Sequence, residues 1–407
     1  MAPSVQAQVL TLKEAVAIAT RTHPSIEAAR LGVDQAQAAV REARTGLQPT
    51  LSLSGGLNRT DVTGVPLRTV SPQSPYGFQL QLSAVQPLYD GARTASAVRL
   101  ADLGAQLAEV ERRGAQRKVA YDTALAYIAV LQAESLRDAA RINVEQAKDQ
   151  LCLADLRSQG QVGTRFEVLQ AQSSVAIAQE GFLRAVNQLR QARQTLESQL
   201  GRPVADLRVE PMTQLKHLAY DPEQIAQALD GRPEVAQAIL AREGQVETAR
   251  QRARTTWPTV SAVGDVTTAP GGGTQQTIAA SLAWNFFDSG RTATQVRQAQ
   301  FGAERAEASL AATRRTAALE IQTTAQALQS AQERVAVTQQ GLQAAIEGLK
   351  LAKVRFNAGV GTGLEVTSAL SSLSQAQSSY IQGSYEVKTT QLRLAQALGL
   401  EVEELIP

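Results

Sequence analysis

The placement of proline constrains the fold of this chain more than any other feature of its sequence. No proline occurs between Pro87 and Pro203, and one short break at residues 160–164, Gly-Gln-Val-Gly-Thr, interrupts that run. Proline ends or kinks helices and glycine favours tight turns, so the pattern predicts two very long helices folded back on each other at a tip. A second run begins after Pro270 and is broken in the same way at residues 359–363.

The composition and the spacing of apolar residues also predict long packed helices. Aromatic residues make up only 4% of the chain, whereas the strong helix formers Ala, Gln, Leu, Glu and Arg are abundant. Apolar residues recur at intervals of three and four, which is the spacing of a coiled-coil seam. A helix from Arg93 to Gln159 would be about 100 Å long at about 1.5 Å per residue. Its first apolar set is Leu100, Leu103, Leu107 and Val110.

Charge, cysteine and histidine content exclude several classes of function. The formal net charge is +2 and no nucleic-acid motif is present, so no nucleic-acid partner is expected. The single cysteine, Cys152, can form neither a disulfide within the chain nor a four-thiolate zinc site. His23 and His217 lie far apart in the sequence. Nothing combines a nucleophile with a base or a metal set, so we expect neither an enzyme nor a bound cofactor or metal.

The sequence offers two interpretations of where the protein resides. It contains no run of about 18 apolar residues, so no transmembrane helix is expected. Residues 1–8 lack the basic and apolar regions of a signal peptide. Either the protein is cytoplasmic, or this is a mature form that carries a start methionine.

The N-terminal region predicts two further helices. Thr11 followed three residues later by Glu14 is the pattern of a capping box at the start of a short helix. That helix should end before Pro24, which should itself open a second helix that runs to about Gly46. The return helix of the first long pair, at about residues 166–200, spans only half of its partner. We expect the second helix to abut it end to end and to fill the other half.

Two stretches change to the two-residue alternation that is typical of β-strands. The first predicts a β-hairpin at about residues 50–89, in which leucines alternate with serine, glycine and glutamine on both sides of a polar loop at 61–75. The second predicts a hairpin at about residues 259–288 with a glycine-rich turn at 269–273.

The second half of the chain repeats the order of the first. Pro24 corresponds to Pro233 at an offset of 209 residues, and beyond the hairpins the offset is 198. The single change of offset falls in the hairpin, so length variation is confined to a loop. We therefore divide the chain into two structural repeats, residues 10–209 and 218–401, that form one intertwined domain. Pairs at the second offset include Asp90/Asp288, Arg93/Arg291, Gly163/Gly361 and Glu167/Glu365.

Four strands of about ten residues have the length of tilted membrane strands. Aromatic residues concentrate at the hairpins as they do in membrane girdles, although a soluble sheet–helix junction would carry them too. Four strands cannot close a barrel and open sheet edges are not tolerated in lipid, so several chains would have to share one. The sequence alone does not fix their number. The candidate membrane-interface aromatics are Tyr76, Phe78, Tyr89, Trp257, Trp284, Phe286 and Phe287.

These features predict a mostly α-helical protein with a small β part, built from long antiparallel helical hairpins and four strands per chain. An alternative is a soluble periplasmic coiled-coil scaffold or adaptor protein. That alternative explains the helices but not the alternating hairpins with their aromatic residues.

Several segments occur here in the order of a known family. They are Leu-Thr-Leu-Lys-Glu-Ala-Val from residue 10 with His-Pro at 23–24, Leu-Gln-Pro-Thr-Leu-Ser-Leu-Ser at 47–54, Gln-Pro-Leu-Tyr-Asp-Gly at 86–91, and the two Val-Gly-Thr tips. In these segments and their order, the chain resembles the TolC-type outer membrane efflux proteins. The resemblance covers about residues 10–401 and includes the duplication.

The resemblance implies a homotrimer with a shared twelve-stranded barrel in outer membrane lipid and a helical tunnel across the periplasm. Such a duct is passive, and an inner-membrane transporter and a periplasmic adaptor protein feed it; the signal peptide would have been removed. Adaptors of the family dock on the helical tips, although the same residues also suit plain turn chemistry. The docking residues carried over are Val162, Gly163, Thr164, Val360, Gly361 and Thr362.

The family closes its tunnel with acidic residues just after the second Val-Gly-Thr. The first acid corresponds to Glu365, the second to Ser368, and the basic residue that follows the tip to Gly363. A ring of three Glu365 side chains would attract cations and repel anions, while a glutamate near a helix start also favours the helix dipole. Ser368 carries no charge, so only one acidic layer remains. The candidates in the first repeat are Arg165, Glu167 and Gln170.

Overall fold

In the computed structural model the chain is mostly α-helical with one four-stranded antiparallel sheet, as predicted. Residues 1–8, His217, the loop at 61–75 and the turn residues 270–272 lie outside the described residues, and so does the side chain of Tyr76. The structure describes residues 9–59, 76–203, 208–212, 229, 231–269 and 273–405.

The predicted helices and strands follow one another in the expected order. Among the described residues, the helices are α1 (Leu12–Thr22), α2 (Pro24–Arg44), α3 (Arg93–Gln159), α4 (Arg165–Leu200), α5 (Pro233–Ala253), α6 (Arg291–Asn357), α7 (Gly363–Ala397) and α8 (Val402–Leu405). The strands are β1 (Val9–Leu10), β2 (Thr50–Arg59), β3 (Tyr76–Tyr89), β4 (Arg208–Val209), β5 (Thr259–Ala269) and β6 (Gly273–Ala283). Of these, β1, β4 and α8 are short elements in addition to the predicted ones.

The internal repeat is visible element by element. Helices α2 and α5 have 21 residues each, and α3 and α6 have 67 residues each. The return helices α4 and α7 have 36 and 35 residues. Helices α2 and α5 each lead through a short 3₁₀ turn, Thr45–Leu47 or Arg254–Thr256, into the first strand of a hairpin.

The start of the chain folds as its local signals predict. Thr11 Oγ1 accepts a hydrogen bond from the backbone N–H of Glu14 at 3.2 Å, and Glu14 Oε2 accepts one from the backbone N–H of Thr11 at 3.0 Å. The backbone N–H of Thr11 and then its hydroxyl lower the pKa of the Glu14 carboxyl below its ordinary value. Helix α1 ends at Thr22, before Pro24, and the Thr22 hydroxyl donates to the carbonyl of Leu200 at 3.2 Å. The junction of α1 and α2 thus lies at the C-terminal end of α4.

The chain forms two compact units. One comprises Met1–Arg30, Glu111–Ala236 and Thr313–Pro407, and the other Leu31–Val110 and Gln237–Ala312. In the core of the first unit, the Tyr127 hydroxyl lies 2.9 Å from the carbonyl oxygen of Leu10 and 2.8 Å from that of Glu210. It joins α3 to the parallel pair β1–β4, which the sequence did not predict because each strand has only two residues. Burial raises the pKa of Tyr127 far above its ordinary value.

The sheet lies in the second unit and joins the two hairpins in the order β2-β3-β5-β6, antiparallel throughout. Across it Leu53 pairs with Leu82, and Leu82 pairs with Val266. Strand β6 ends at Ala283, so the second hairpin stops short of the predicted residue 288. The strand ends there because its partner β5 begins at Thr259, directly after Pro258, and Thr259 pairs with Ala283.

Candidate functional site

The first tip, at residues 160–164, closes the C-terminal end of α3. The backbone N–H groups of Val162 and Gly163 donate to the carbonyl of Arg157 at 3.0 and 2.9 Å, which satisfies a carbonyl that the helix leaves open. A Cβ on Gly163 would lie 3.0 Å from Arg157 Cβ, which is tighter than an ordinary contact, so the turn favours glycine. The Val162 side chain is 74% exposed.

Helix α4 starts from the first tip with a second capping box. Thr164 Oγ1 accepts a hydrogen bond from the backbone N–H of Glu167 at 3.3 Å, and Glu167 Oε2 accepts one from that of Thr164 at 3.4 Å. Arg165 is exposed, and Gln170 is half-buried one turn further on. Thr164 and Glu167 therefore stabilise the start of α4.

The second tip, at residues 359–363, repeats this geometry. The backbone N–H groups of Val360 and Gly361 donate to the carbonyl of Arg355, both at 3.0 Å. A Cβ on Gly361 would lie 2.9 Å from the backbone nitrogen of Phe356, which leaves no room for a side chain. Val360 is 69% exposed, like its counterpart in the first tip.

The candidate gate residue Glu365 lies in the first turn of α7. Its backbone N–H donates to Thr362 Oγ1 at 3.2 Å, and its Oε2 atom lies 3.5 Å from Nε of Arg355. The two charged side chains are 45% and 51% exposed, so solvent screens the pair. Ser368 is exposed one turn later, and Gly363 is buried, facing Glu167 of the first tip.

The two tips touch each other within one chain. Nη1 of Arg157 donates to the carbonyl oxygen of Phe356 at 2.9 Å, and its guanidinium carbon lies 4.2 Å from the centroid of the Phe356 ring. Phe356 is 3% exposed. Sequence reasoning missed both residues, because only the fold brings the ends of α3 and α6 together.

Apolar side chains are exposed around both tips. A contiguous group of apolar side chains on a protein surface marks a site of protein contact more often than isolated residues do. At the first tip the exposed set is Leu153, Leu156, Val162, Phe166 and Leu169, and at the second it is Leu351, Val354, Val360 and Leu364.

The four-stranded sheet has one apolar and one polar face. The apolar face carries mostly leucine, isoleucine and valine at alternating positions of the strands, with Thr268 and Gln276 at the end near the loop. The opposite face carries mostly serine, threonine and glutamine, with Val85 and Val263 among them. On the polar face, Gln81 Nε2 donates to Asp265 Oδ1 at 3.3 Å. The apolar side chains that are 67% to 93% exposed are Leu51, Leu53, Leu57, Ile278 and Leu282.

The predicted interface aromatics lie at the two ends of the sheet. Tyr76 and Phe78 are at the start of β3, at the end that carries the loop. The end that leads into the helices carries Tyr89, Trp257, Trp284, Phe286 and Phe287. Trp284 Nε1 donates to the carbonyl of Thr256 at 3.1 Å, and its ring meets that of Phe286 edge to face, with 5.9 Å between centroids. All six whose side chains the structure describes are exposed: Phe78, Tyr89, Trp257, Trp284, Phe286 and Phe287.

Two matched aspartates link the sheet to the longest helices. Asp90 Oδ2 accepts a hydrogen bond from the backbone N–H of Thr94 at 2.6 Å, and Asp288 Oδ2 accepts one from that of Thr292 at 2.8 Å. The Thr292 hydroxyl and then its N–H lower the pKa of Asp288. Burial raises the pKa of Asp90, but its hydrogen bonds with Thr94 outweigh this effect and the net shift is downward. Both carboxylates are charged at the positive end of a helix dipole.

No group of three or more histidine, cysteine, aspartate or glutamate side chains in the described part of the chain is placed to hold a metal ion. No helix in the same residues has the length and apolar character needed to cross a membrane.

Comparisons with known proteins agree with this architecture. The chain is 24% identical over 401 residues to the outer membrane efflux protein BepC of Brucella suis biovar 1 (strain 1330), and the match covers 96% of this chain and 85% of that protein. Its fold is similar to that of the outer membrane protein VceC from Vibrio cholerae, with a TM-score of 0.81, 20% identity and 96% of each chain covered. It is also similar to a membrane protein from Pseudomonas aeruginosa, with a TM-score of 0.84, 21% identity and 97% and 91% covered. The profile of the family described as Outer membrane efflux protein matches residues 16–202 and 224–400, and the chain therefore belongs to that family.

Proposed function

We propose that this protein is a passive exit duct of the outer membrane through which an export system releases its substrates. The observation that carries the proposal is the four-stranded sheet. Its apolar face carries exposed leucines and isoleucine on both edge strands, and among the described strands β2 and β6 are each paired on one side only. Such a sheet cannot remain open in lipid, where every backbone group must be paired.

Three copies would complete the barrel with twelve strands, with β6 of one copy pairing with β2 of the next. Twelve strands exceed the eight at which side chains fill a small barrel, so the lumen would be open. The apolar face would then contact lipid, and the exposed aromatics at both ends of the strands would lie at the two membrane interfaces.

The long helices would extend from the barrel into the periplasm and line the tunnel. The exposed valines of the two tips, Val162 and Val360, and the apolar side chains around them form the surface on which a periplasmic adaptor protein would dock. The energy for export would come from an inner-membrane transporter bound to the same adaptor. Glu365 would line the mouth of the tunnel at the second tip, with its charge partly balanced by Arg355.

A measurement of assembly and conductance tests the proposal. The purified protein should require detergent for solubility, should have the mass of a trimer by light scattering, and should form ion-conducting channels in planar lipid bilayers. A protein that is monomeric and fully soluble without detergent would instead support the soluble scaffold or adaptor interpretation and would overturn the duct.

Disulfide locking tests the role of the tips. In a Cys152→Ser background, which removes the exposed native thiol, cysteine pairs that join the two tips should block export when oxidised and release it when reduced. Export that continues unchanged through oxidised tips would contradict an opening movement at this end.

A further inference from the structure

A single carboxylate stands out on the polar face of the sheet. Asp265, in the middle of β5, is the one charged residue among the sheet side chains that the structure describes. Strand register places it on the face of Ser83 and Thr277, and opposite the face that carries Leu82 and Val266.

The surroundings of Asp265 leave its carboxylate accessible. The row that crosses all four strands at its level consists of Ser52, Ser83, Asp265 and Thr277, so Asp265 has only small neighbours in that row. Gln81 Nε2, one diagonal position away, donates to Oδ1 at 3.3 Å. This bond fixes the direction of the carboxylate, while Oδ2 has no protein partner among the described side chains.

We infer that Asp265 provides a second charge ring inside the barrel, separate from Glu365 at the tips, and that this ring favours the passage of cationic over anionic solutes. The inference rests on the proposed function, because three copies must share one barrel with the polar face inward. In the trimer each copy contributes one Asp265 carboxylate, which lies among small neighbours. The three carboxylates together act as charged rings do in pores. A low-dielectric wall around a lumen strengthens such a field.

The reversal potential of single channels in a KCl gradient tests this inference. The measurement is made on the trimer in a Glu365→Gln background, so that the tips do not contribute their own carboxylates. We expect Asp265→Asn to lower the permeability ratio of K⁺ to Cl⁻ by about threefold. The difference should be larger in about 0.1 M than in about 1 M salt, where the Debye length shrinks from about 10 Å to about 3 Å.

A charge swap serves as the matched control. Asp265→Thr combined with Thr277→Asp moves the carboxylate to the directly paired residue of β6 and keeps the composition of the row. This variant should recover most of the lost cation preference, which a purely structural role of Asp265 would not allow.

Three results would contradict the inference. An ion preference that does not change in the Asp265→Asn variant would be incompatible with the ring, and so would a swap variant that assembles but stays unselective. A wild-type protein that forms no channels would overturn the duct itself, and the ring with it.

Discussion

Arg157 at the end of α3 lies with its guanidinium over the ring of Phe356 at the end of α6, 4.2 Å from the ring centroid, while donating to the carbonyl of the same residue. One side chain thus holds both the ring and the backbone of the opposite tip. Its counterpart in the repeat, Arg355, pairs instead with the exposed carboxylate of Glu365. The two arginines therefore have different tasks although the repeat places them at matching positions.

Arg157→Gln should loosen both tips. It removes the cation–π contact and leaves the Phe356 carbonyl without its donor, at a combined cost of about 1–2 kcal/mol. Hydrogen exchange should become faster at residues 156–164 and at 355–363. Arg355→Gln is the matched control, because a screened surface ion pair contributes only about 0–1 kcal/mol. Equal exchange in the two variants would refute a special role for Arg157.

Packing at the second tip requires glycine at position 361, so Gly361→Ala should destabilise this tip. Its Cβ would lie 2.9 Å from the backbone nitrogen of Phe356, which cannot move without opening the end of α6. We expect a local loss of about 1–3 kcal/mol, typical of overpacking, and faster proteolysis at the tip. Gly363→Ala is the control, since its nearest neighbour would be Glu167 Cγ at 3.6 Å. Equal proteolysis of the two variants would show that the close contact of the added Cβ with Phe356 does not destabilise the tip.

Lysine substitutions on the two faces of β6 test the orientation of the sheet. Ile278 is 93% exposed on the apolar face, and a lysine facing lipid near the bilayer centre costs about 2–4 kcal/mol. Ile278→Lys should therefore reduce the yield of membrane-inserted trimer. The neighbouring Thr277→Lys lies on the polar face beside Asp265 and should assemble like the wild type. The reverse result would place the apolar face in the lumen.

Much of this architecture could be predicted because it follows from local rules. The bounds of α3 come from the absence of proline between residues 93 and 159, and the start of α1 comes from the capping box at Thr11. The glycine break at residues 160–164 places the start of α4 to within one residue. The internal repeat independently supports these bounds, since two halves whose residues match at a constant offset should have the same fold. Local rules do not predict the contact of Arg157 with Phe356.

The relations that sequence reasoning missed are set by tertiary structure. Strand β3 pairs with β5, so that Gln81 meets Asp265 across the junction of the two hairpins, and no alternation pattern reveals which hairpin edges meet. The ion pair between Glu365 and Arg355 depends in the same way on the turn that folds α7 back onto α6. The functional role of the tip and interface residues remains a prediction that the experiments above address.

The aspartate caps predict how stability depends on pH at the junction of sheet and helices. The pKa of Asp288 is lowered in the folded state by the Thr292 hydroxyl and N–H, so its carboxylate favours folding above the ordinary value of about 3.9. This contribution is lost as the pH falls below about 4 through the lowered pKa. Asp288→Asn, which cannot ionise, should be less stable than the wild type near neutral pH, and the difference should shrink below about pH 4. Fluorescence of Trp257 and Trp284, the only tryptophans in the chain, reports unfolding at this junction. A difference in unfolding midpoint that stays constant from about pH 7 to about pH 3 would show that the charge of Asp288 does not contribute to stability.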